Sequence, residues 1–327
     1  MKAFVTGAAG FIGSHISRWL IKDGFEVVGL DDLSGGNAKN LPAGIKFIQG
    51  SITDYQLLCN IFDREKFDYV YHIGAYAAEG LSHFIRRYNY ENNLLGSINL
   101  INLSIKHKIK CFVFTSSIAV YGSNQVPMNE EMVPQPEDPY GISKYAVELD
   151  LRAANKQFGL NYIIFRPHNV YGEHQNMADK YRNAIGIFMN QILSGKPMTI
   201  FGDGTQTRAF SYIDDVAPVI ARSVLNPRAY GEVFNVGGDV VFSVKELAEI
   251  VAEEMGMTPC VKSLRKRNEV LHAFASHEKA KRFFDIPPPV SLKEGIRKMA
   301  VWAKSVGIQK PKNFTAIEIS ENLPEGW

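Results

Sequence analysis

The sequence has little cysteine and no marked excess of charge of either sign. Only three cysteines occur in 327 residues, Cys59, Cys111 and Cys260, with no Cys-x-x-Cys pair. This scarcity argues against a disulfide framework and a structural metal site, and it favours a reducing compartment. The formal net charge is +2, and no basic stripe is present. We therefore expect no bound metal and no nucleic-acid partner.

Long apolar runs are missing as well. No segment approaches the roughly 18 uninterrupted apolar residues of a membrane-spanning helix. The apolar start of the chain is broken by glycines in the segment 7–13, which is unlike a secretory signal peptide. Apolar residues make up 46% and charged residues 21%, a balance typical of soluble proteins with a large core. The sequence predicts a soluble, cytoplasmic protein that does not bind membranes.

The first half of the chain alternates short β-branched runs with longer amphipathic stretches. Candidate strands lie at 2–6, 26–30, 46–48, 69–73, 111–115 and 161–166. Candidate helices lie at 12–22, 84–106 and 142–158. Strands that alternate with helices imply a parallel sheet with helices on both faces. The predicted class is therefore α/β, with a doubly wound parallel sheet.

The rhythm changes after Arg166, where Pro, Gly and Asp become denser and the elements shorter. A later candidate strand at 233–236 could rejoin the first sheet. Two domains built from interleaved segments fit this pattern better than one clean cut. The predicted division is a cofactor domain of 1–170 with 209–238, a smaller α/β substrate domain of 171–208 with 239–310, and an unassigned tail, 311–327.

A glycine-rich turn follows the first candidate strand and opens a helix. Gly7, Gly10 and Gly13 allow a tight turn, a close approach of the backbone to a pyrophosphate, and helix packing on the strand. The first amides of the helix, at Phe11 and Ile12, would face the phosphates. An ordinary turn could also contain glycines, but the strand-turn-helix context favours dinucleotide binding.

Two acids end the second candidate strand. Asp31 at its tip could accept the ribose hydroxyls of the adenosine half and repel the extra phosphate of NADP, which predicts NAD. Asp32 is the alternative for this role. An ordinary turn aspartate is the competing explanation, because glycines and Asn37 follow directly.

Tyr140 and Lys144 lie one turn apart on one face of a predicted helix. A nearby ammonium stabilises a phenolate, so we expect Lys144 to lower the pKa of Tyr140 from about 10. Tyr140 is then a candidate general base for a sugar hydroxyl. Tyr-x-x-x-Lys is common by chance, but an apolar strand ending in Thr115, Ser116 and Ser117 precedes it. Active sites of open α/β sheets lie beyond such strand ends.

Together these motifs resemble the extended short-chain dehydrogenase/reductase family, in its sugar-nucleotide epimerase and dehydratase branch. The segments 165–172 (Phe-Arg-Pro-His-Asn-Val-Tyr-Gly) and 200–208 extend the resemblance, which runs from Thr6 to about Val270 and is similar to UDP-glucose/UDP-galactose 4-epimerases. It implies a Rossmann-type sheet and bound NAD. It also implies that Ser117 bridges Tyr140 and the reacting oxygen, with Ser116 as the alternative.

The resemblance further implies a substrate site for a nucleotide-sugar, with a UDP-sugar favoured. Asn169 and Arg208 would bind the diphosphate, and Arg267 would be a second clamp, because the guanidinium offers two donors to phosphate oxygens. Phe201 would stack on the base and Glu269 would bind the uridine ribose. Further contacts implied are Ser51, Ile52, Ile73, Gly74, Ala75, Asn93 and Lys144 for the cofactor, and Ser116 and His168 for the substrate.

Some positions depart from the family pattern. Ser51 stands where an acid is usual, and Ala77 where 4-epimerases often have a lysine. His168 replaces an aromatic or aliphatic residue. The polar loop 79–83 lies near the expected sugar pocket and hints at a modified hexose, such as a uronic acid or deoxy sugar. An ordinary surface loop explains it equally well.

Two residues separate the branches of this family. Its 4,6-dehydratases carry an Asp-Glu pair after the serine, and a 3,5-epimerase branch carries a cysteine there, whereas this chain has Ile118 and Ala119. That difference favours a 4-epimerase. A reductase, a decarboxylase or a dehydratase on the same scaffold is the alternative. A non-catalytic NAD sensor is a further one, against which the intact Ser117, Tyr140 and Lys144 argue.

The resemblance also bears on assembly. In this family two helices of each subunit form a four-helix dimer interface, and the stretches 84–106 and 142–158 match them. A homodimer is therefore expected.

Overall fold

The computed structural model describes residues 1–266, 270–310 and 317–324. The strands are β1 (Lys2–Thr6), β2 (Glu26–Asp31), β3 (Lys46–Gln49), β4 (Tyr69–His72), β5 (Cys111–Thr115), β6 (Tyr162–Pro167), β7 (Val170–Tyr171), β8 (Met198–Phe201), β9 (Thr207–Ala209), β10 (Ser211–Tyr212), β11 (Glu232–Val236), β12 (Val241–Ser243), β13 (Val261–Leu264) and β14 (His272–Ala273). The α-helices are α1 (Phe11–Lys22), α2 (Tyr55–Arg64), α3 (Glu79–Ser82), α4 (Arg86–Tyr90), α5 (Gly96–Lys106), α6 (Pro139–Phe158), α7 (Ala184–Leu193), α8 (Ile213–Arg222), α9 (Val244–Met255), α10 (Glu278–Phe283) and α11 (Leu292–Val306).

Seven parallel strands form the main sheet in the order β11-β6-β5-β4-β1-β2-β3. The chain moves outward from β1 to β3 and then returns to the other side of β1 as β4. This reversal leaves a crevice at the carboxyl ends of β1 and β4, where open α/β sheets bind ligands. The predicted doubly wound parallel sheet is confirmed.

Side chains alternate across this sheet and build a core on each face. Val5 of β1 packs into the core that α1 and α8 cover, whereas its neighbour Phe4 points to the other face. The second core includes residues of α2, α5 and α6, such as Leu58 and Val147. Because helices bury both faces, the strands are apolar throughout, as parallel strands usually are.

Capping fixes the position of α6. The Asp138 carboxylate accepts a hydrogen bond from the Gly141 amide at 2.9 Å, and Pro139 occupies the first turn. Both are common signals for a helix start. The helix ends at Gly159, whose φ of 73° lies in the left-handed region. Tyr140 is thereby held in the first turn of the helix.

The remaining elements pack beside the carboxyl edge of the sheet. Strand β8 pairs with β13, and β9 pairs with β12 and β14. Helices α7, α9 and α11 pack together near them. No helix among the described residues is both long and apolar enough to span a bilayer.

The tail, left unassigned from sequence, returns to the first half of the chain. The Glu318 amide donates to the Phe84 carbonyl at 2.8 Å, and the Glu318 carboxylate accepts from the Arg87 and Tyr88 amides, each at 2.8 Å. Glu318 thus caps the start of α4. The segment after it, Asn322–Pro324, reaches the wall of the large cavity that contains the candidate site.

Candidate active site

One cavity of about 1850 Å³ opens at the carboxyl edge of the main sheet. It collects residues from both halves of the chain. The predicted site residues that line it are Gly7, Gly10, Phe11, Ile12, Gly13, Asp31, Asp32, Ser51, Ile52, Ile73, Gly74, Ala75, Ser116, Ser117, Tyr140, Lys144, Asn169, Phe201 and Arg208.

The glycine turn forms one end of this cavity. Gly7 has a φ of 69°, and a Cβ atom there would lie 2.8 Å from the Gly74 Cα. A Cβ atom on Gly13 would lie only 2.0 Å from the Gly7 carbonyl oxygen. Helix α1 begins at Phe11, and no described side chain caps its N-terminus at Gly10. Its first amides can therefore serve an anion such as a pyrophosphate.

Thr6 joins this turn to β4. Its Oγ1 lies 2.8 Å from His72 Nδ1 and accepts hydrogen bonds from the amides of Ile73 and Gly74 at 3.2 and 3.1 Å. The bonds hold the predicted cofactor segment 73–75 against the glycine turn. No sequence motif marks this hydroxyl, although Thr6 ends the strand just before the turn.

The two candidate ribose acids have different surroundings. The Asp31 carboxylate accepts from the Ala9 and Leu33 amides at 3.0 and 2.8 Å, and burial raises its pKa. Two such bonds leave lone pairs of the carboxylate for ribose hydroxyls. Asp32 is engaged by Ser34, whose amide and hydroxyl both donate to Oδ1. This arrangement favours Asp31 for the ribose and fits Asp32 as the turn aspartate. The residues present therefore fit NAD.

Asn93, predicted as a cofactor contact, lies behind the residues that line the cavity. It is buried in the π-helical turn Glu91–Leu95 between α4 and α5. Its side chain accepts from the Tyr76 amide at 2.8 Å and donates to the Tyr76 carbonyl at 3.0 Å. Its amide group is fully engaged in holding the backbone after β4, so it acts on the cavity only through Tyr76.

The predicted catalytic residues do come together. Tyr140 is buried, and Ser117 lies beside its hydroxyl group, where it stabilises the phenolate and so lowers the pKa. Lys144 lies one turn later on the same helix face, 2% exposed, and its Nζ donates to the Thr115 carbonyl at 2.8 Å. The lysine nitrogen is 5.8 Å from the centre of the Tyr140 ring.

The expected effect of Lys144 on Tyr140 is not seen. Burial, and secondly the Glu79 charge, raise the pKa of Tyr140, and the Ser117 bond offsets this only in part. Burial likewise lowers the pKa of Lys144 to about 7. The expectation was wrong in direction because both groups lie in the same dry environment, which disfavours each charged form. The pair favours a neutral phenol and a readily deprotonated amine.

The structure separates the two serine alternatives. The Ser116 hydroxyl donates to Glu148 Oε1 at 2.6 Å, so it is directed into the protein. The Ser117 hydroxyl contacts Tyr140 and accepts from the Ala119 amide at 3.1 Å. Both serines line the cavity, and Ser117 is the one beside Tyr140, which favours it for contact with a reacting oxygen.

The substrate end is formed by β9 and the turn after β6. Asn169 has a φ of 40°, and its Nδ2 donates to the Ala209 carbonyl at 3.0 Å. The Arg208 guanidinium donates to the carbonyls of Thr207, Leu271 and Val270 at 2.8, 3.0 and 2.6 Å. Arg208 thus also anchors the chain at 270–271 to β9. The predicted Arg267 and Glu269 lie outside the described residues.

His168, predicted as a substrate contact, also lies behind the residues that line the cavity. It is 2% exposed, and its Nε2 lies 2.9 Å from the Nε2 of His277, whose Nδ1 is 2.6 Å from Asp239. The His168 Nδ1 lies 3.2 Å from the Ala209 carbonyl. Its backbone turns the ring inward while Asn169 faces the cavity, so it supports the turn instead of touching a substrate.

Several cavity residues were missed from sequence. Arg182 pairs with Asp179 at 2.7 Å and lies over the Tyr76 ring at 5.1 Å. Basic residues in the segment 180–182 were the available signal. The tail residues Asn322–Pro324 gave none, because only the fold returns them to this wall.

Comparison with known proteins agrees with this geometry. The model of the NAD dependent epimerase/dehydratase family matches residues 3–237. The UDP-glucose 4-epimerase of Mycolicibacterium smegmatis is 32% identical over 91% of this chain and 97% of its own length. A Thermotoga maritima UDP-glucose 4-epimerase crystallised with UDP-glucose has a TM-score of 0.87 at 33% identity, covering 94% of this chain and 99% of that one.

A third relative, the UDP-glucuronic acid 4-epimerase of Bacillus cereus, was crystallised with UDP-glucuronic acid and NAD. It has a TM-score of 0.86 at 30% identity, covering 94% of this chain and 100% of that one. The predicted Rossmann-type fold, the NAD cofactor and an enzyme of the nucleotide-sugar epimerase class are confirmed. The chain belongs to the NAD-dependent epimerase/dehydratase family.

Proposed function

We propose that this enzyme catalyses the 4-epimerisation of a UDP-hexose or a modified UDP-hexose through a transient 4-keto sugar. One observation carries the proposal: Tyr140, Ser117 and Lys144 meet at the end of β5, in a cavity that also contains the glycine turn and the diphosphate candidates Asn169 and Arg208. A redox centre and a phosphate-binding end therefore share one space.

In this reaction each of the side chains at the site has a separate role. Tyr140, as the phenolate, takes the proton of the C4 hydroxyl through its Oη, and Ser117 orients that hydroxyl. Bound NAD supplies reversible hydride acceptance at C4. Lys144, held by the Thr115 carbonyl, positions its ammonium beside the tyrosine. Asn169 and Arg208 hold the diphosphate while the keto sugar turns, after which Tyr140 returns the proton to the C4 oxygen. The hydride accepted from C4 would return to the opposite face of that carbon, so protons and electrons balance over the cycle.

The site also explains why no water needs to leave the sugar. Ile118 and Ala119 follow Ser117 in a short 3-10 turn that lines the cavity, and neither side chain can donate or accept a proton. Of the acids on the cavity wall, Asp138 is engaged as the cap of α6. These positions favour epimerisation over a 4,6-elimination.

The test is product analysis of purified enzyme with UDP-glucose, UDP-glucuronic acid and UDP-N-acetylglucosamine, beside GDP- and dTDP-sugars, in D2O. We expect interconversion of two UDP-sugars of equal mass, no consumption of added NADH and no deuterium at C5 or C6. A product lighter by one water would establish a dehydratase, and stoichiometric oxidation of NADH would establish a reductase. Either result would overturn the proposal.

We further propose a homodimer formed through α5 and α6. Leu95, just before α5, and Leu149 on α6 are 56% and 47% exposed, so these helices carry apolar side chains that a second copy could cover. Two copies would bury them in a four-helix bundle. Light scattering should give a dimer, and Leu149→Arg should give a monomer. A monomeric parent protein would contradict this assembly.

The remaining sequence predictions stay proposals too. The three cysteines are free thiols, which supports a cytoplasmic location. The division into 1–170 with 209–238 and 171–208 with 239–310 is supported by β11, which pairs with β6 in the main sheet. Cell fractionation tests the location. Limited proteolysis tests the division, since cuts between the two units would come first.

A further inference from the structure

A buried ion pair lies directly behind the catalytic residues. Glu148 and Arg166 are 0% and 1% exposed, and Arg166 donates from Nε and Nη2 to the two carboxylate oxygens at 2.9 and 2.6 Å. The proton transfer outlined above uses neither residue. Placing a charge pair so deep costs desolvation energy, and such pairs are weak evidence for stability alone. Stability alone therefore does not explain why this ion pair lies directly behind Tyr140 and Lys144.

The pair belongs to a regular pattern of contacts. Tyr140, Lys144 and Glu148 are spaced four residues apart, so they form one stripe along α6. Each member contacts a different group at the end of β5. Tyr140 contacts the Ser117 hydroxyl, Lys144 the Thr115 carbonyl, and Glu148 the Ser116 hydroxyl.

Two consequences follow from the Glu148 contact. The Ser116 hydroxyl donates a hydrogen bond to the Glu148 carboxylate at 2.6 Å, so it points away from Tyr140 and leaves Ser117 as the serine beside that tyrosine. The carboxylate also stands one turn behind Lys144, where its charge raises the pKa of the amine against the larger, opposing effect of burial. Arg166 balances the carboxylate and fixes its orientation with two bonds.

We propose that Glu148, oriented by Arg166, is a positioning residue of the epimerase site, which withdraws the Ser116 hydroxyl from the reaction and places a negative charge behind Lys144. This inference rests on the proposed function for the reaction, but its contacts do not. Glu148 touches neither substrate nor cofactor and acts through Ser116 and Lys144.

The first experiment follows the titration of Lys144 in NAD-loaded protein carrying 15N-labelled lysine. The amine of Lys144 should titrate far below the other lysines, and Lys144→Met identifies its resonance. Glu148→Gln, which is nearly isosteric, should move this titration to lower pH, because a charge that stabilises the ammonium is lost. Arg166→Gln should move it to higher pH, because a competing cation is lost. Opposite shifts are not expected from a purely structural role.

Steady-state kinetics of the same variants give a second, independent test. At a pH above about 7, Glu148→Gln should lower kcat about tenfold for each unit by which the lysine titration falls. KM for the UDP-sugar should stay within about threefold, since Asn169 and Arg208 are untouched. Asp150→Asn is the matched control, because it removes one carboxylate from the same helix. It should leave the titration of Lys144 unchanged. An unshifted titration in Glu148→Gln would overturn the proposal.

If the Glu148 and Arg166 variants do not fold, serine variants test the proposal instead. Ser116→Ala should lower kcat less than tenfold, whereas Ser117→Ala should lower it more than a hundredfold, in the range of a lost catalytic proton contact. Equal losses would overturn the withdrawal of Ser116. If the proposed function is wrong, the parent enzyme will not turn over UDP-sugars. The positioning role of Glu148 is tested separately, because the lysine titration requires only NAD-loaded protein.

Discussion

The cofactor end and the substrate end of the cavity are built in different ways. At the proposed cofactor end the cavity wall is largely backbone, with a glycine turn in which Cβ atoms at Gly7 and Gly13 would collide with the main chain. At the substrate end side chains from distant segments converge, among them Asn169, Arg182 and Arg208. The first end is local in sequence, and the second exists only after the chain has folded.

This difference determines how each end responds to change. A backbone site tolerates few substitutions, because any added atom moves the main chain itself. A side-chain site can change one contact at a time, which suits a family whose members accept different sugars. We therefore expect all-or-none effects at the cofactor end and graded effects at the substrate end.

Tyr140 stands where the two ends meet and should give the largest effect. Tyr140→Phe removes only the proton-accepting oxygen, so kcat should fall by about 100- to 10,000-fold, while the dissociation constant for the UDP-sugar stays within about tenfold. Stopped-time NMR assays and calorimetry measure the two quantities. Tyr145→Phe, on the same helix, is the control. Lost affinity with turnover retained would make Tyr140 a binding residue.

The pH dependence of kcat in the parent enzyme also depends on the protonation states of Tyr140 and Lys144. Burial raises the pKa of Tyr140, so its phenolate form becomes populated only at a higher pH than that of a free tyrosine. Burial lowers the pKa of Lys144 to about 7, so its ammonium form is lost as pH rises through that value. The active form with phenolate and ammonium is then a minor species. We expect Glu148→Gln to lower kcat at pH values above about 7, where it reduces the ammonium form of Lys144, and to change kcat little at lower pH, where both proteins keep that ammonium.

Gly13→Ala should break the cofactor end while leaving the substrate end intact. Its Cβ would lie 2.0 Å from the Gly7 carbonyl oxygen, so the turn must open. We expect the dissociation constant for NAD to rise at least about tenfold, or about 1.4 kcal/mol, with UDP binding nearly unchanged. Gly24→Ala is the control: its φ of 85° strains an alanine, but a Cβ there meets nothing within 4 Å, so it should lower stability and leave NAD binding unchanged. Retained NAD in the Gly13 variant would refute the backbone account.

The same contrast explains what the sequence could predict. The strands of the main sheet, the glycine turn and the spacing of Tyr140 and Lys144 are local patterns, and the structure has them where they were expected. The sequence could not predict that the side chains of His168 and Asn93 bind other parts of the protein behind the cavity wall, because this depends on which way the backbone turns each side chain. The expected pKa effect failed because helical spacing gives proximity but says nothing about burial. The Glu148–Arg166 pair needs β5, β6 and α6 together, so no single segment reveals it.

Arg208→Ala should give a graded loss at the substrate end. Removing a charge-assisted partner costs about 1.5–3 kcal/mol, or roughly 10- to 150-fold in affinity. UDP and the UDP-sugar should lose equally, because the sugar is not involved. Calorimetry with both ligands measures this, and Arg64→Ala on α2 is the control. Unchanged UDP affinity would leave Arg208 as an anchor of the carbonyls at 270–271 only.

Glu318→Ala should give the smallest effect, because the tail borders both ends without belonging to either. The carboxylate caps α4 by accepting from two amides at 2.8 Å, and loss of a helix cap costs about 1 kcal/mol. We expect a fall of that size in the free energy of unfolding, with kcat and NAD content unchanged. Glu321→Ala removes the same charge from the same segment and is the matched control. If Glu318→Ala lowered NAD content or raised KM and Glu321→Ala did not, the tail wall at Asn322–Pro324 would count as part of the site. The cavity would then have a third, C-terminal contributor, because losing the cap would have displaced residues that touch a ligand.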